Sequence, residues 1–144
     1  MASVFLSHSS RDEAVTERVA GRLRDAGFAA LFVDFDPQQG IAAGRNWERE
    51  LYTQLRRADA VVFLASAASV DSRWCFAELS LARSLGRPVF PVRLHAGADL
   101  PLLGDVQWVD LGDGDAGMAR VLAGLRSAGV DPGDSFAWDP LRSP

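Results

Sequence analysis

A chain of 144 residues, 48% hydrophobic and 24% charged, is sized and composed for one packed core. Its 15 basic and 19 acidic residues are spread along the chain to a net charge of -4, without the basic stripe that displaces counterions, which argues against nucleic acid as a direct partner. All 15 basic residues are arginine, so mechanisms that need a phosphate-loop lysine, a Schiff-base lysine or a receiver-domain lysine are excluded.

One cysteine, Cys75, permits no internal disulfide, and with only His8 and His95 as imidazoles no metal site is expected. No apolar run approaches the roughly 18 residues of a membrane span. The first residues lead straight into strand-like sequence without a basic n-region. A cytoplasmic protein without membrane contact is the expectation.

Five short apolar runs read as strands: Val4 to Leu6, Ala29 to Val33, Ala60 to Leu64, Val89 to Val92 and Val106 to Val109. Helical spacing between them implies βαβ units and a mostly parallel sheet covered on both faces. The first helix is predicted to start at Ser9 or Ser10, with Asp12 and Glu13 in its first turn, to bury Val15, Val19 and Leu23, and to end at Gly27. A second starts at Asn46 and buries Trp47, Leu51 and Leu55, with Glu48, Arg49, Arg56 and Arg57 facing water. A third covers Ser72 to Leu85, stopped by Gly86 and Pro88, and a last one Ala116 to Ser127, ended by Gly129. Residues 1-130 thus form one domain. The segment 131-144, with Pro132, Pro140 and Pro144, has linker chemistry leading toward a further domain, yet carries Phe136 and Trp138, which could instead pack back on this domain.

Ligands of such sheets bind outside the carboxyl ends of the strands, where strand order reverses. Three segments fall there and form the candidate crevice: Ser7 to Arg11, Asp34 to Gly44, and Trp74 to Glu78. The first offers hydroxyls and helix N-terminal amides suited to phosphate or ribose oxygens, although Ser9 and Ser10 equally suit plain capping. The second is longer than usual connections and carries Phe35, Pro37, Gly40, Ile41 and Gly44. In the third, Glu78 is a carboxylate within a nearly all-apolar helix, with Trp74, Cys75, Leu81 and Ala82 at helical spacing and no basic residue among them. Such an acid marks either a functional site or a tertiary ion pair, for instance with Arg11 or Arg45. Cys75 lacks an activating neighbour in sequence and reads as a small core residue.

With these segments in view, the chain resembles the TIR (Toll/interleukin-1 receptor) domain family over nearly its whole length. The resemblance rests on Val4-Phe5-Leu6-Ser7-His8-Ser9-Ser10-Arg11-Asp12, on Phe32-Val33-Asp34 with Gly40 and Gly44, on Ala58 to Ser66, and on Ser72-Arg73-Trp74-Cys75-Phe76-Ala77-Glu78-Leu79. It implies a flavodoxin-like, doubly wound sheet of five mainly parallel strands with helices on both faces. It also implies a bacterial NADase-type member, the N-terminal effector of a larger antiviral defence protein, with NAD as substrate rather than cofactor.

In enzymatic members the glutamate of Trp-x-x-x-Glu cleaves NAD, and Trp74 and Glu78 match that pattern, so Glu78 is the expected catalytic residue. Ser7, Ser9, Asp34, Phe35, Trp74 and Cys75 are then the expected substrate-binding residues. Asp36, Pro37, Gly40, Ile41 and Gly44 form the expected self-association loop, which lacks the Arg-Asp and Pro-Gly pairs of receptor-type relatives. A Gly-x-Gly-x-x-Gly turn is absent from the sequence, which disfavours a hydride carrier. A scaffold that signals only by homotypic TIR-TIR assembly is the alternative, and a hydrolase acting on a relative of NAD a third.

Overall fold

The computed structural model describes residues 2-33, 47-112 and 115-132, with Trp47 and Glu48 described by backbone only. Five parallel strands, β1 Ser3–Ser7, β2 Ala30–Phe32, β3 Ala60–Ala65, β4 Val89–Arg93 and β5 Val109–Asp110, form one sheet in the order β2-β1-β3-β4-β5. Among the described residues five α-helices accompany them: α1 Glu13–Asp25, α2 Trp47–Arg57, α3 Ala67–Val70, α4 Arg73–Ser84 and α5 Asp115–Ser127. This is the flavodoxin-like topology, with its reversal point between β1 and β3.

Strand order and handedness together place the helices. The chain moves one way from β1 to β2 and the other way from β2 to β3, so right-handed crossovers put α1 and α2 on opposite faces. Alternation along the strands serves both faces at once. Phe5, Val61, Phe63 and Ala65 join the core with Leu51 and Leu55 of α2 and Cys75 and Leu79 of α4. Val4, Leu6, Ala60, Val62 and Leu64 join the other core, with Val19 and Leu23 of α1 and Met118 and Leu125 of α5. Every residue of β3 is buried, which explains its unbroken apolar run.

Sequence and structure differ at several places. The first helix opens with a 3-10 turn at Ser10–Asp12, capped by Ser9, before α1 begins. Thr16, Val19, Ala20 and Leu23 are its buried residues, while Val15 is only part-buried because the face is rotated toward the sheet. Helix α3 was not anticipated. The fifth strand holds only Val109–Asp110, since the preceding segment is fastened otherwise: Trp108 Nε1 donates to the Leu103 carbonyl (3.0 Å) and the Arg93 guanidinium lies 4.5 Å over its ring. Gly27 follows α1 with φ of +105°, a left-handed turn that stops the helix as expected. Asn46 lies outside the described residues. Among those described, no helix is long and apolar enough to cross a membrane.

One glycine sets how closely α5 meets the sheet. A Cβ added at Gly117 would stand 2.1 Å from the backbone oxygen of Leu111. Gly117→Ala is therefore expected to push α5 away from β5 and to destabilise the chain by about 1–3 kcal/mol, as overpacking does; urea unfolding of the variant checks this.

Candidate active site

Helix α4 starts with Ser72, whose side chain accepts from the Cys75 amide at 3.1 Å. Its inner face carries Cys75, Glu78, Leu79 and Ala82 against the sheet. Glu78 is 3% exposed, and opposite it stands Ser7, the fully buried last residue of β1. Ser7 Oγ donates to Glu78 Oε1 at 2.6 Å, the short length of a hydroxyl bonded to a carboxylate. The acid thus sits at the carboxyl end of β1, beside the point where strand order reverses.

Cys75 lies one turn earlier. Burial, and then the nearby Glu78 charge, push its thiol up to about 12, against smaller lowering by hydrogen bonds with Ser72 and Ser7. An ordinary thiol ionises at 9.0, so the unfolded chain releases this proton first. Stability from this group is therefore intact below about pH 9 and is lost progressively as pH rises toward 12. Urea midpoints compared with those of Cys75→Ala on either side of pH 9 should diverge with rising pH, and the folded thiol should resist alkylation near neutrality.

A second polar network ties the loop after β1 to the loop after β3. Ser66 Oγ donates to Asp12 Oδ2 (2.5 Å), and Thr16 Oγ1 donates to the Asp12 carbonyl (2.8 Å). Ser66 and Ser69 form a capping box around α3, and Ser69 Oγ donates to the Leu64 carbonyl at 2.7 Å. The amide of Ala67 donates to His95 Nε2 at 3.1 Å, which requires that nitrogen to be unprotonated. A cleft of about 490 Å³ opens between these loops, lined by Ser9, Arg11, Ala67, Ala68 and Asp71.

Of the residues singled out from sequence, the fold brings Ser7, Cys75 and Glu78 together. Trp74 is part-buried and packs against the core below α4. Ser9 stands on the cleft rim and accepts from the Arg11 amide at 3.1 Å, so capping and rim placement coincide. Asp34, Phe35, Asp36, Pro37, Gly40, Ile41 and Gly44 lie outside the described residues. The linkage of Asp12 to Ser66 and Ser69 was missed. Ser66-x-x-Ser69 is a readable capping signal, but its tie to Asp12 spans 54 residues.

A model of the TIR domain family, TIR_2, matches residues 4–122. The chain belongs to the TIR domain family. This TIR domain is similar in structure to that of the Toll-related receptor TRR-2 from Hydra magnipapillata, with 16% identity, a TM-score of 0.69, and coverage of 89% of this chain and 98% of that one. It is also similar to the TIR domains of the activated Roq1 resistosome recognising the pathogen effector XopQ (21% identity, TM-score 0.53, 95% and 78% covered). A 2-deoxyribosyltransferase from Leishmania mexicana shares the architecture over 66% of each chain, with 16% identity and a TM-score of 0.52. These identities speak for the fold alone. No curated protein matches the TIR chain.

Proposed function

We propose that this TIR domain breaks the bond between nicotinamide and ribose in NAD, with Glu78 as the catalytic residue, and that self-association raises its activity. The observation that carries the reading is the buried carboxylate of the Trp74-to-Glu78 pattern at the carboxyl end of β1, held by Ser7 at 2.6 Å. Nicotinamide departs from a cationic pyridinium, taking the electron pair of the C1′–N bond and becoming neutral. No general acid is needed, unlike an ordinary glycoside with its two carboxyl groups.

The ribosyl carbon is left as an oxocarbenium-like centre. A carboxylate sheltered from water stabilises that charge more than it stabilises the ground state, and it also accepts from ribose hydroxyls. Water adds at C1′ and loses a proton to give ADP-ribose, or an adenine nitrogen of the same molecule adds to give a cyclic isomer. Ser9 on the cleft rim is assigned to ribose or phosphate oxygens, and Trp74 and Phe35 to the walls for the bases. Ser7 spends its hydroxyl hydrogen on Glu78, so we assign it to positioning.

For the assembly we assign Phe76 on α4, 51% exposed, and Tyr52 on α2, 40% exposed, as contact residues. Assembly and catalysis are compatible, and assembly alone is the scaffold reading. The test follows nicotinamide and nucleotide products by chromatography across a wide protein concentration range and after artificial clustering. Specific activity that rises with concentration supports the proposal. Failure to consume NAD even when clustered leaves the scaffold.

A further inference from the structure

The cleft beside the Ser7 and Glu78 pair is lined by two charged side chains that the fold itself does not use. Ser9 and Arg11 stand on the loop after β1, and Ala67, Ala68 and Asp71 on α3 and its C-terminal cap. Arg11 and Asp71 are both exposed, and among the described residues neither side chain makes an ion pair or a hydrogen bond. Arg22, Arg83 and Arg93, by contrast, each meet an aspartate, and Asp12 is held by Ser66. The Ala67 amide is committed to His95 Nε2. Ser9 Oγ accepts from the Arg11 amide and keeps its own hydrogen to donate. A ligand entering the cleft therefore meets one cation, one hydroxyl donor and one carboxylate.

Placement joins the cleft to Glu78. Ser9 stands two residues beyond Ser7, so their Cα atoms are at most about 7 Å apart, and the Ser7 hydroxyl holds Glu78. The tie from Asp12 to Ser66 fixes the loop after β1 against the start of α3, which keeps the two walls together. The volume, about 490 Å³, falls inside the range of about 300–1,000 Å³ of small-molecule sites. We propose that Arg11 takes the diphosphate of the bound dinucleotide and Asp71 the hydroxyls of its adenosine ribose, so that Asp71 selects NAD over its 2′-phosphate, NADP. This rests on the reading that NAD is the molecule bound beside Glu78.

The order of groups along the dinucleotide carries the argument. Nicotinamide ribose comes first, then two phosphates, then adenosine ribose. With the first ribose at Glu78, the phosphates pass Ser9 and Arg11, a hydroxyl donor and a guanidinium suited to phosphate oxygens. On the other wall the Asp71 carboxylate accepts from a vicinal diol, the pairing by which an acid favours NAD in dinucleotide-binding folds. A 2′-phosphate at that place sets a further charge of about -1.5 to -2 beside the carboxylate. Arg11 is the one cation of the lining, and the diphosphate already engages it, so the like charges stay uncompensated. Ala67 and Ala68 add no polar side chain to the lining, which leaves the discrimination to Asp71.

The test is read by binding, so it does not depend on cleavage. ADP-ribose and ADP-ribose 2′-phosphate are titrated separately into the 144-residue chain, and the backbone amides of Arg11, Ala67 and Ala68 are followed by NMR. All three amides should shift, with ADP-ribose bound at least about tenfold more tightly. Asp71→Asn should narrow that gap to about threefold or less by strengthening the 2′-phosphate, and Arg11→Gln should weaken both ligands by about tenfold. Both side chains are exposed, so neither substitution threatens the fold. Equal affinities in the parent chain, a gap unchanged in Asp71→Asn, or unmoved Ala67 and Ala68 amides would each overturn the proposal. Cleavage of NAD and NADP by the clustered protein separates this inference from the enzymatic reading. A chain that binds as expected and cleaves neither nucleotide loses the role of Glu78 and keeps that of Asp71. Cleavage of both at equal kcat/KM in the parent chain loses Asp71 and keeps Glu78.

Discussion

Replacing Glu78 with glutamine is expected to lower nicotinamide release from NAD by at least about a hundredfold while leaving the fold intact, the scale on which a group that stabilises developing charge is felt. Glutamine keeps the shape of the side chain and an oxygen to accept from Ser7 Oγ, so the 2.6 Å contact persists in neutral form. What disappears is the negative charge opposite the forming oxocarbenium centre. Release and melting temperature measured on the same preparation separate the two effects. Unchanged release in a folded Glu78→Gln protein would show that another group carries the chemistry and would retire the enzymatic proposal for this residue.

Ser7→Ala should affect both stability and rate. Removing the hydroxyl leaves a carboxylate that is 3% exposed without the hydrogen bond Ser7 supplies, at a cost of about 1–3 kcal/mol of folding stability. It also removes the contact that fixes Glu78 Oε1, and misplacement of a charged group is costly to the transition state. We expect kcat to fall and KM to hold, because Ser7 acts through Glu78 rather than on the substrate. Denaturant unfolding and steady-state kinetics check the two halves. A rise in KM with kcat unchanged would instead return Ser7 to substrate binding.

The strands of this domain were legible because burial on both faces leaves an unbroken apolar mark, as in Ala60–Ala65, where every residue is buried. The third helix of the sequence reading, Ser72 to Leu85, matches α4 Arg73–Ser84, whereas the four-residue helix Ala67–Val70 before it went unread, because it is too short to show a 3.6-residue period and announces itself only by its capping serines. Val106 and Trp108 read as strand because they are apolar. Trp108 instead reaches the Leu103 carbonyl, and only Val109–Asp110 pair with β4. Val15 has the spacing of a core residue yet remains part-buried, because the turn of α1 relative to the sheet is set by packing and not by period alone.

The sequence by itself determined the class of fold, the order of its elements, the absence of lysine chemistry and the acid in an apolar helix, since these follow from local composition and periodicity. It left open what that acid meets: a ligand, or an arginine such as Arg11 or Arg45. The tertiary structure supplied a serine partner, because Ser7 and Glu78 are 71 residues apart and only the placement of β1 beside α4 puts them at 2.6 Å. The same holds for the tie between Asp12 and Ser66 and for the cleft lined by Arg11 and Asp71, which exist only once β1 and β3 have paired in parallel and brought the loops at their ends together.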